Sequence, residues 1–216
     1  WKEVAFRNDC MGGPAFHINH RPLDFDYDSR RKCFYVLEFG IMYSLYYTLE
    51  GGSLVLNASI ENRSTFDYEP VSAGIIIGLD ALMEAYPSWN EKHFPTLLRA
   101  EKSHFWGYAM SPSGTIVGIA SPDAIASWSI NYFKDHYVKS FNVDLLNKNP
   151  LPERHPHGLS KLVPGEKRLW KIYLTKINSL SDVKFVMSEL CDAPMIDAKG
   201  DYTFFGDEKK SINIIS

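Results

Sequence analysis

Cysteine is scarce in this sequence: Cys10, Cys33 and Cys191 are the only three in 216 residues. An odd number at wide spacing is no disulfide framework, and no CxxC pair opens a structural zinc site. The three read as buried free thiols, with a Cys10–Cys33 bridge as the alternative in an oxidising compartment. Positive charge is not in excess either. Lys and Arg number 23 against 26 Asp and Glu, a net charge of −3 with His neutral. Such a balance gives no basic footprint for nucleic acid or an anionic membrane surface. No apolar run approaches the ~20 residues of a membrane-spanning helix. A glycine-rich phosphate loop and the G-x-S-x-G nucleophile signature are missing too, and Gly12-Gly13 before Pro14 fits a turn. No cofactor and no metal is expected.

Aromatic residues are plentiful instead. Five Trp, 12 Tyr and 13 Phe make up 14% of the chain, and 45% of it is hydrophobic. That excludes a disordered chain and supplies a sizeable core. The sequence opens on Trp1-Lys-Glu-Val-Ala-Phe6 and closes on Ser211-Ile-Asn-Ile-Ile-Ser216, both strand-like. It reads as a piece of a longer polypeptide.

Strand patterns recur. Cys33–Phe39 and Met42–Thr48 are rich in β-branched and aromatic residues, and Glu50-Gly-Gly-Ser53 is a turn. Leu54, Leu56, Ala58 and Ile60 alternate with Val55, Asn57 and Ser59, a strand with one buried face. Val71–Leu79 is apolar on both faces, as a central strand would be, and Gly74 and Gly78 within it read as sites of close packing. Ser103–Met110 and Thr115–Ala120 pair as a hairpin across the turn Ser111-Pro-Ser-Gly114. Ala124–Tyr132, Val138–Val143 and Arg168–Leu174 are further strands.

Between Asp80 and Arg99 the pattern is irregular. Tyr86-Pro-Ser-Trp-Asn90 and His93-Phe-Pro95 suggest a long packed loop. One helix is expected late, with Leu180, Val183, Val186, Met187 and Leu190 at helical spacing and Ser179 or Ser181 as cap. The fold class is therefore all-β: a large antiparallel two-sheet sandwich with one late helix and a short C-terminal β tail. We divide it into a sandwich domain over 1–176 and a helical linker with the start of a small β-module over 177–216.

The run Leu49-Glu-Gly-Gly-Ser-Leu-Val-Leu-Asn-Ala-Ser-Ile-Glu-Asn-Arg-Ser64, followed by Pro70-Val-Ser-Ala-Gly-Ile-Ile-Ile-Gly-Leu-Asp80, resembles the galactose-mutarotase-like β-supersandwich. There a strand pair, an Asn after the second strand and a Pro-led, glycine-bearing strand recur. The Pro164-Gly-Glu166 turn before Arg168–Leu174 is similar to the entry of the final strand in that class. The resemblance spans 1–176. It implies a non-catalytic N-terminal domain of a polysaccharide-degrading enzyme, a glycoside hydrolase or lyase, secreted or periplasmic and bacterial. Such a domain scaffolds a following catalytic domain of the same polypeptide and lines its cleft, where a polysaccharide or oligosaccharide is the ligand. The His pair and late Glu of stand-alone mutarotases find no match: His17 and His20 lie early and close together, and Glu153 and Glu166 lie in loops. No catalytic residue is assigned.

The densest chemistry lies between Trp89 and Trp106, with Glu91, His93, Arg99, Glu101 and His104 between them. Flat aromatic faces suit the C–H face of a pyranose, and carboxylates, Arg and His hydrogen-bond hydroxyls. These seven residues are the candidate carbohydrate or interface contact. The competing reading is a loop core in which Arg99 pairs Glu101 or Glu91. Asp80 with Glu101 as an acid/base pair, Glu153-Arg-His-Pro-His157 as metal ligands and His17 with His20 are weaker groupings. Tyr35, Tyr43, Tyr46 and Tyr47 form an aromatic belt on one strand pair. Two other functions fit less well. One is an epimerase-like enzyme with Glu101 and His104 as acid and base; the other is a protein-interaction module meeting its partner through the tyrosine belt.

Overall fold

Period-two alternation and tight glycine turns set most of this chain into antiparallel strands. The computed structural model describes residues 15–19, 21–79, 90, 92–132, 139–149, 157–195, 197–199, 206 and 213–215. Its strands in chain order are β1 (Ala15–Ile18), β2 (Arg21–Pro22), β3 (Asp26–Asp28), β4 (Cys33–Glu38), β5 (Ile41–Glu50), β6 (Ser53–Asn62) and β7 (Ala73–Leu79). There follow β8 (Phe94–Ala100), β9 (Phe105–Met110), β10 (Ile116–Ser121), β11 (Ser127–Tyr132), β12 (Lys139–Leu146), β13 (Lys167–Ile177), β14 (Asp197–Lys199) and β15 (Asn213–Ile215). The helix α1 spans Val183–Cys191.

Eight strands form the larger sheet in the order β3-β4-β5-β6-β13-β10-β9-β8, and five form the smaller, β11-β12-β7-β1-β2. The pair β14 and β15 stands as a separate ladder. The expected antiparallel two-sheet sandwich with one short late helix is what the chain forms. Phe16, Ile75, Ile77, Phe141 and Val143 of the smaller sheet share one buried cluster with Leu45, Leu56, Ile60, Phe105, Ile119, Trp170 and Ile172 of the larger. Each such side chain contributes roughly 1.5–3 kcal/mol by leaving water.

The turns follow their residues. Gly51 and Gly52 at φ 56° and 86° close the β5–β6 hairpin, as a two-residue turn of that hand needs. Gly165 at φ 80° follows Pro164 in the turn that leads into β13. Ser111 takes the amide of Gly114 on its carbonyl at 2.9 Å, closing the β9–β10 hairpin. The strand β7 is covered on both faces, as its apolar run implied.

Several expectations are corrected. The strand β6 is buried on both faces, because Val55, Asn57 and Ser59 lie in the middle of an eight-stranded sheet between β5 and β13. Residues 94–100, read as part of a loop, are a strand. Pro95 is tolerated there because β8 is an edge strand, with a register shift between Pro95 and Leu97. The tyrosine belt splits by strand parity. Tyr43 is fully buried and its hydroxyl meets that of Tyr68 at 2.6 Å, whereas Tyr35 and Tyr46 stand on the opposite face. Neither serine caps the helix: Ser179 and Ser181 hydroxyls bond each other at 2.7 Å.

The helix α1 buries Val183, Met187 and Cys191 against Trp106, Ile116, Ala120 and Ile177 on the outer face of the larger sheet. Gly118 lets it dock. A Cβ there would stand 2.5 Å from Met187 Cε and 2.6 Å from Ile177 Cδ1. Trp1–Phe6, Cys10, His20, Asp80, Trp89, Glu91 and Glu153 lie outside the described residues. No helix among the described residues is long and apolar enough to cross a membrane.

Candidate functional site

The strands β8 and β9 carry the described members of the candidate contact. Arg99 and Trp106 are register partners, so they share the outer face. The turn from Glu101 to His104 closes the hairpin, with the Glu101 amide on the His104 carbonyl at 2.9 Å. Arg99 Nη1 and Glu101 Oε1 stand 3.9 Å apart at the surface. His104 Nδ1 meets the Ser103 hydroxyl at 3.0 Å. His93 lies at the other end of β8, where its Nε2 meets Thr115 Oγ1 at 3.0 Å. A seven-residue strand separates the two imidazoles by roughly 20 Å. Trp106 is only 6% exposed beneath α1, so its ring is packing rather than an open platform. Of the described residues among these seven, Arg99 is brought beside Glu101 by their ion pair and beside Trp106 by strand register, while His93 lies apart.

The outer face of the larger sheet is covered by α1 over β9 and β10. It is partly exposed over β4 and β5 and at Lys171 and Tyr173 of β13, while Val55, Asn57 and Ser59 of β6 between them are buried, and here sequence reasoning missed a constellation. Pairing sets Tyr46, Asn57 and Lys171 in one row and Thr48, Val55 and Tyr173 in the next. The β5–β6 turn adds Glu50. Lys171 Nζ donates to both Glu50 carboxylate oxygens, at 3.3 and 3.2 Å. Tyr173 donates to Glu50 Oε2 at 3.4 Å, and Thr48 Oγ1 donates to Oε1 at 3.2 Å. Asn57 Nδ2 donates to Thr48 Oγ1 at 3.1 Å. The Lys171 ammonium holds the Glu50 carboxyl below its usual value, and Glu50 in turn raises the Lys171 ammonium. Tyr46 is 44% exposed beside this network, and Tyr35 stands on the same face. The signal was present as period-two alternation, but it needed the β6–β13 pairing across more than a hundred residues.

A second polar group lies on the outer face of the smaller sheet. His17 pairs with Gly74, Gly74 with Asp144 and Asp144 with Ser127. His17 Nε2 stands 3.3 Å from Asp144 Oδ1 with both side chains buried. Ser127 Oγ donates to Asp144 Oδ2 at 2.7 Å, and Asn147 Nδ2 donates to Ser127 Oγ at 3.3 Å. The serine bonds the carboxylate and not the imidazole, so this is not a nucleophile–base arrangement. The serine satisfies one oxygen of the buried carboxylate, Oδ2, and β7 and β12 approach closely beside it because residue 74 is glycine. Among the described residues no three His, Cys, Asp or Glu side chains come together as a metal site.

No family model matches the chain, and no curated protein matches it by sequence. Its fold does have a counterpart. A solved structure described as a polysaccharide lyase superimposes with a TM-score of 0.60 at 12% sequence identity, over 86% of this chain and 28% of that one. The likeness is one of sandwich fold, and this chain spans 28% of that protein's length.

Proposed function

We propose that this chain is a non-catalytic, carbohydrate-associated β-sandwich of the supersandwich type. It scaffolds a catalytic domain of a polysaccharide-degrading enzyme, lyase or hydrolase, and lines one edge of that domain's cleft. The observation that carries the reading is the fold shared with a polysaccharide lyase over 86% of this chain but 28% of that protein. A sandwich that is a minor part of a longer chain is a module beside something else. The exposed end of the β8–β9 hairpin, with Arg99, Glu101 and His104, is where we place the contact with that domain. The purified chain should be retained on polysaccharide matrices while releasing no reducing ends and no unsaturated product. Turnover of a polysaccharide by the chain alone would refute the non-catalytic reading, and passage through every matrix would refute the carbohydrate association.

One observation favours a second reading, a protein-interaction module. Phe39 is 82% exposed in a turn at φ 49°, beside exposed Leu37 and Phe66. The Arg63 amide ties the 63–66 segment to that turn through the Gly40 carbonyl at 2.8 Å. A bulky aromatic held in the left-handed region and in water is a contact residue in waiting. Phe39→Asn should raise solubility and leave glycan retention unchanged if the two surfaces are separate.

A further inference from the structure

Resting on the reading above, we infer that the partly exposed half of the larger sheet's outer face binds an uncharged glycan segment through Tyr46, Lys171, Glu50 and Tyr173. These four project from β5, β13 and the β5–β6 turn onto one surface, flanked by the cluster that α1 covers. The Glu50–Lys171 pair is exposed on both sides, at 41% and 45%. Ion pairs so open to water contribute little to stability, so their geometry is available to a ligand at small cost. Together they offer a carboxylate that accepts and an ammonium and a phenol that donate, which is the inventory a ring of hydroxyls requires. Tyr46 supplies the flat apolar surface for a pyranose C–H face.

Charge selects the class of glycan. Glu50 is compensated by Lys171. Glu61, on the same face, is compensated by Arg63 at 2.8 Å, and the further cation Lys167, opposite Glu61 in register, is matched in number by Asp26, opposite Tyr35 on β3. A polyanionic chain would meet three carboxylates and an equal number of cations, two of them already engaged. A neutral chain exchanges hydrogen bonds without breaking either pair.

The test is calorimetric titration of the whole chain with neutral hexasaccharides of glucose, xylose, mannose and galactose, and with polygalacturonate, alginate and heparin oligosaccharides as the anionic set. At least one neutral hexasaccharide should bind with little salt dependence. Tyr46→Ala and Lys171→Met should each weaken it roughly tenfold or more. Phe185→Ala, on the solvent side of α1, should leave it unchanged. All three residues are exposed, and unaltered thermal unfolding of the variants shows that the fold is kept. Neutral binding that survives both Tyr46→Ala and Lys171→Met overturns this site and leaves the carbohydrate-associated reading standing. Binding restricted to anionic chains and abolished by salt overturns the choice of an uncharged ligand. Failure of every glycan to bind overturns both the site and the direct sugar contact.

Discussion

Replacing Gly74 by alanine tests whether the smaller sheet depends on the close approach of β7 to β12. The register between these strands shifts at Asp144/Leu146, which brings the β12 backbone onto residue 74. A Cβ at 74 would lie 2.8 Å from Asp144 Cα and 2.9 Å from the Leu145 nitrogen, and closer still to the Val143 carbonyl oxygen. Carbon–oxygen contacts settle at about 3.3–3.6 Å, so β12 must recede by roughly 1 Å. All the obstructing atoms are backbone in the covered middle of a sheet, so no side chain can swing aside. Such a displacement breaks about two ladder hydrogen bonds at ~1 kcal/mol each and disturbs the Ser127–Asp144–His17 contacts at a further ~1–3 kcal/mol. The expected loss is about 3–5 kcal/mol, a large share of the ~5–15 kcal/mol by which a domain is stable. Urea unfolding followed by tryptophan fluorescence measures it. Gly158→Ala is the control, since nothing lies within 4 Å of a Cβ there, and it should shift stability by less than about 0.5 kcal/mol. A Gly74→Ala loss below about 1 kcal/mol would refute the argument.

Other outcomes follow from burial. Tyr68 is pushed up to about 12 from 10.0 by burial, and burial raises Tyr43 further still. Both phenols stay protonated in the fold where the unfolded chain ionises, so this stability is whole below pH 10 and declines from pH 10 to 12. The urea midpoint should fall across that window, and less steeply in Tyr43→Phe. Burial also pushes the Cys191 thiol up to about 12 from 9.0, and its Sγ sits 3.3 Å from the Phe105 carbonyl. Iodoacetamide at pH 8 should label half-buried Cys33 and spare Cys191 until denaturant frees α1, as peptide mass spectrometry would read. Asp144→Ala strips buried His17 and Ser127 of their shared partner and should cost ~2–4 kcal/mol. Asp67→Ala, which removes the exposed partner of Lys161, should leave the urea midpoint unmoved.

Local pattern was enough for most of the sandwich. The hairpins at Gly51-Gly52 and Ser111–Gly114, the doubly covered β7 and the late helix are all written within short windows. Pro95 hid β8, because proline excludes a strand interior but not an edge, and no local signal says which strands become edges. The candidate contact was legible only as composition. Whether Trp106 faces water depended on α1, which arrives some eighty residues later. Parity alone would have split the tyrosine belt, since Tyr43 and Tyr46 differ by three positions in one strand. The Glu50–Lys171 and His17–Asp144 groupings join residues more than a hundred apart, so they exist only through strand order.

The rims of the two sheets have a consequence for what can attach to them. An unfinished strand border invites any extended segment to zip onto it, and neighbouring copies held at high local concentration would polymerise. Here the larger sheet ends on the three-residue Asp-Tyr-Asp of β3 and on the proline-broken β8, and the smaller ends on one side at the two-residue Arg-Pro of β2. Among the described strands, three of the four seams are thus too short, too charged or too interrupted to recruit a visitor. That leaves association to the β11 border and to the flat surfaces, where chemistry rather than backbone decides what adheres.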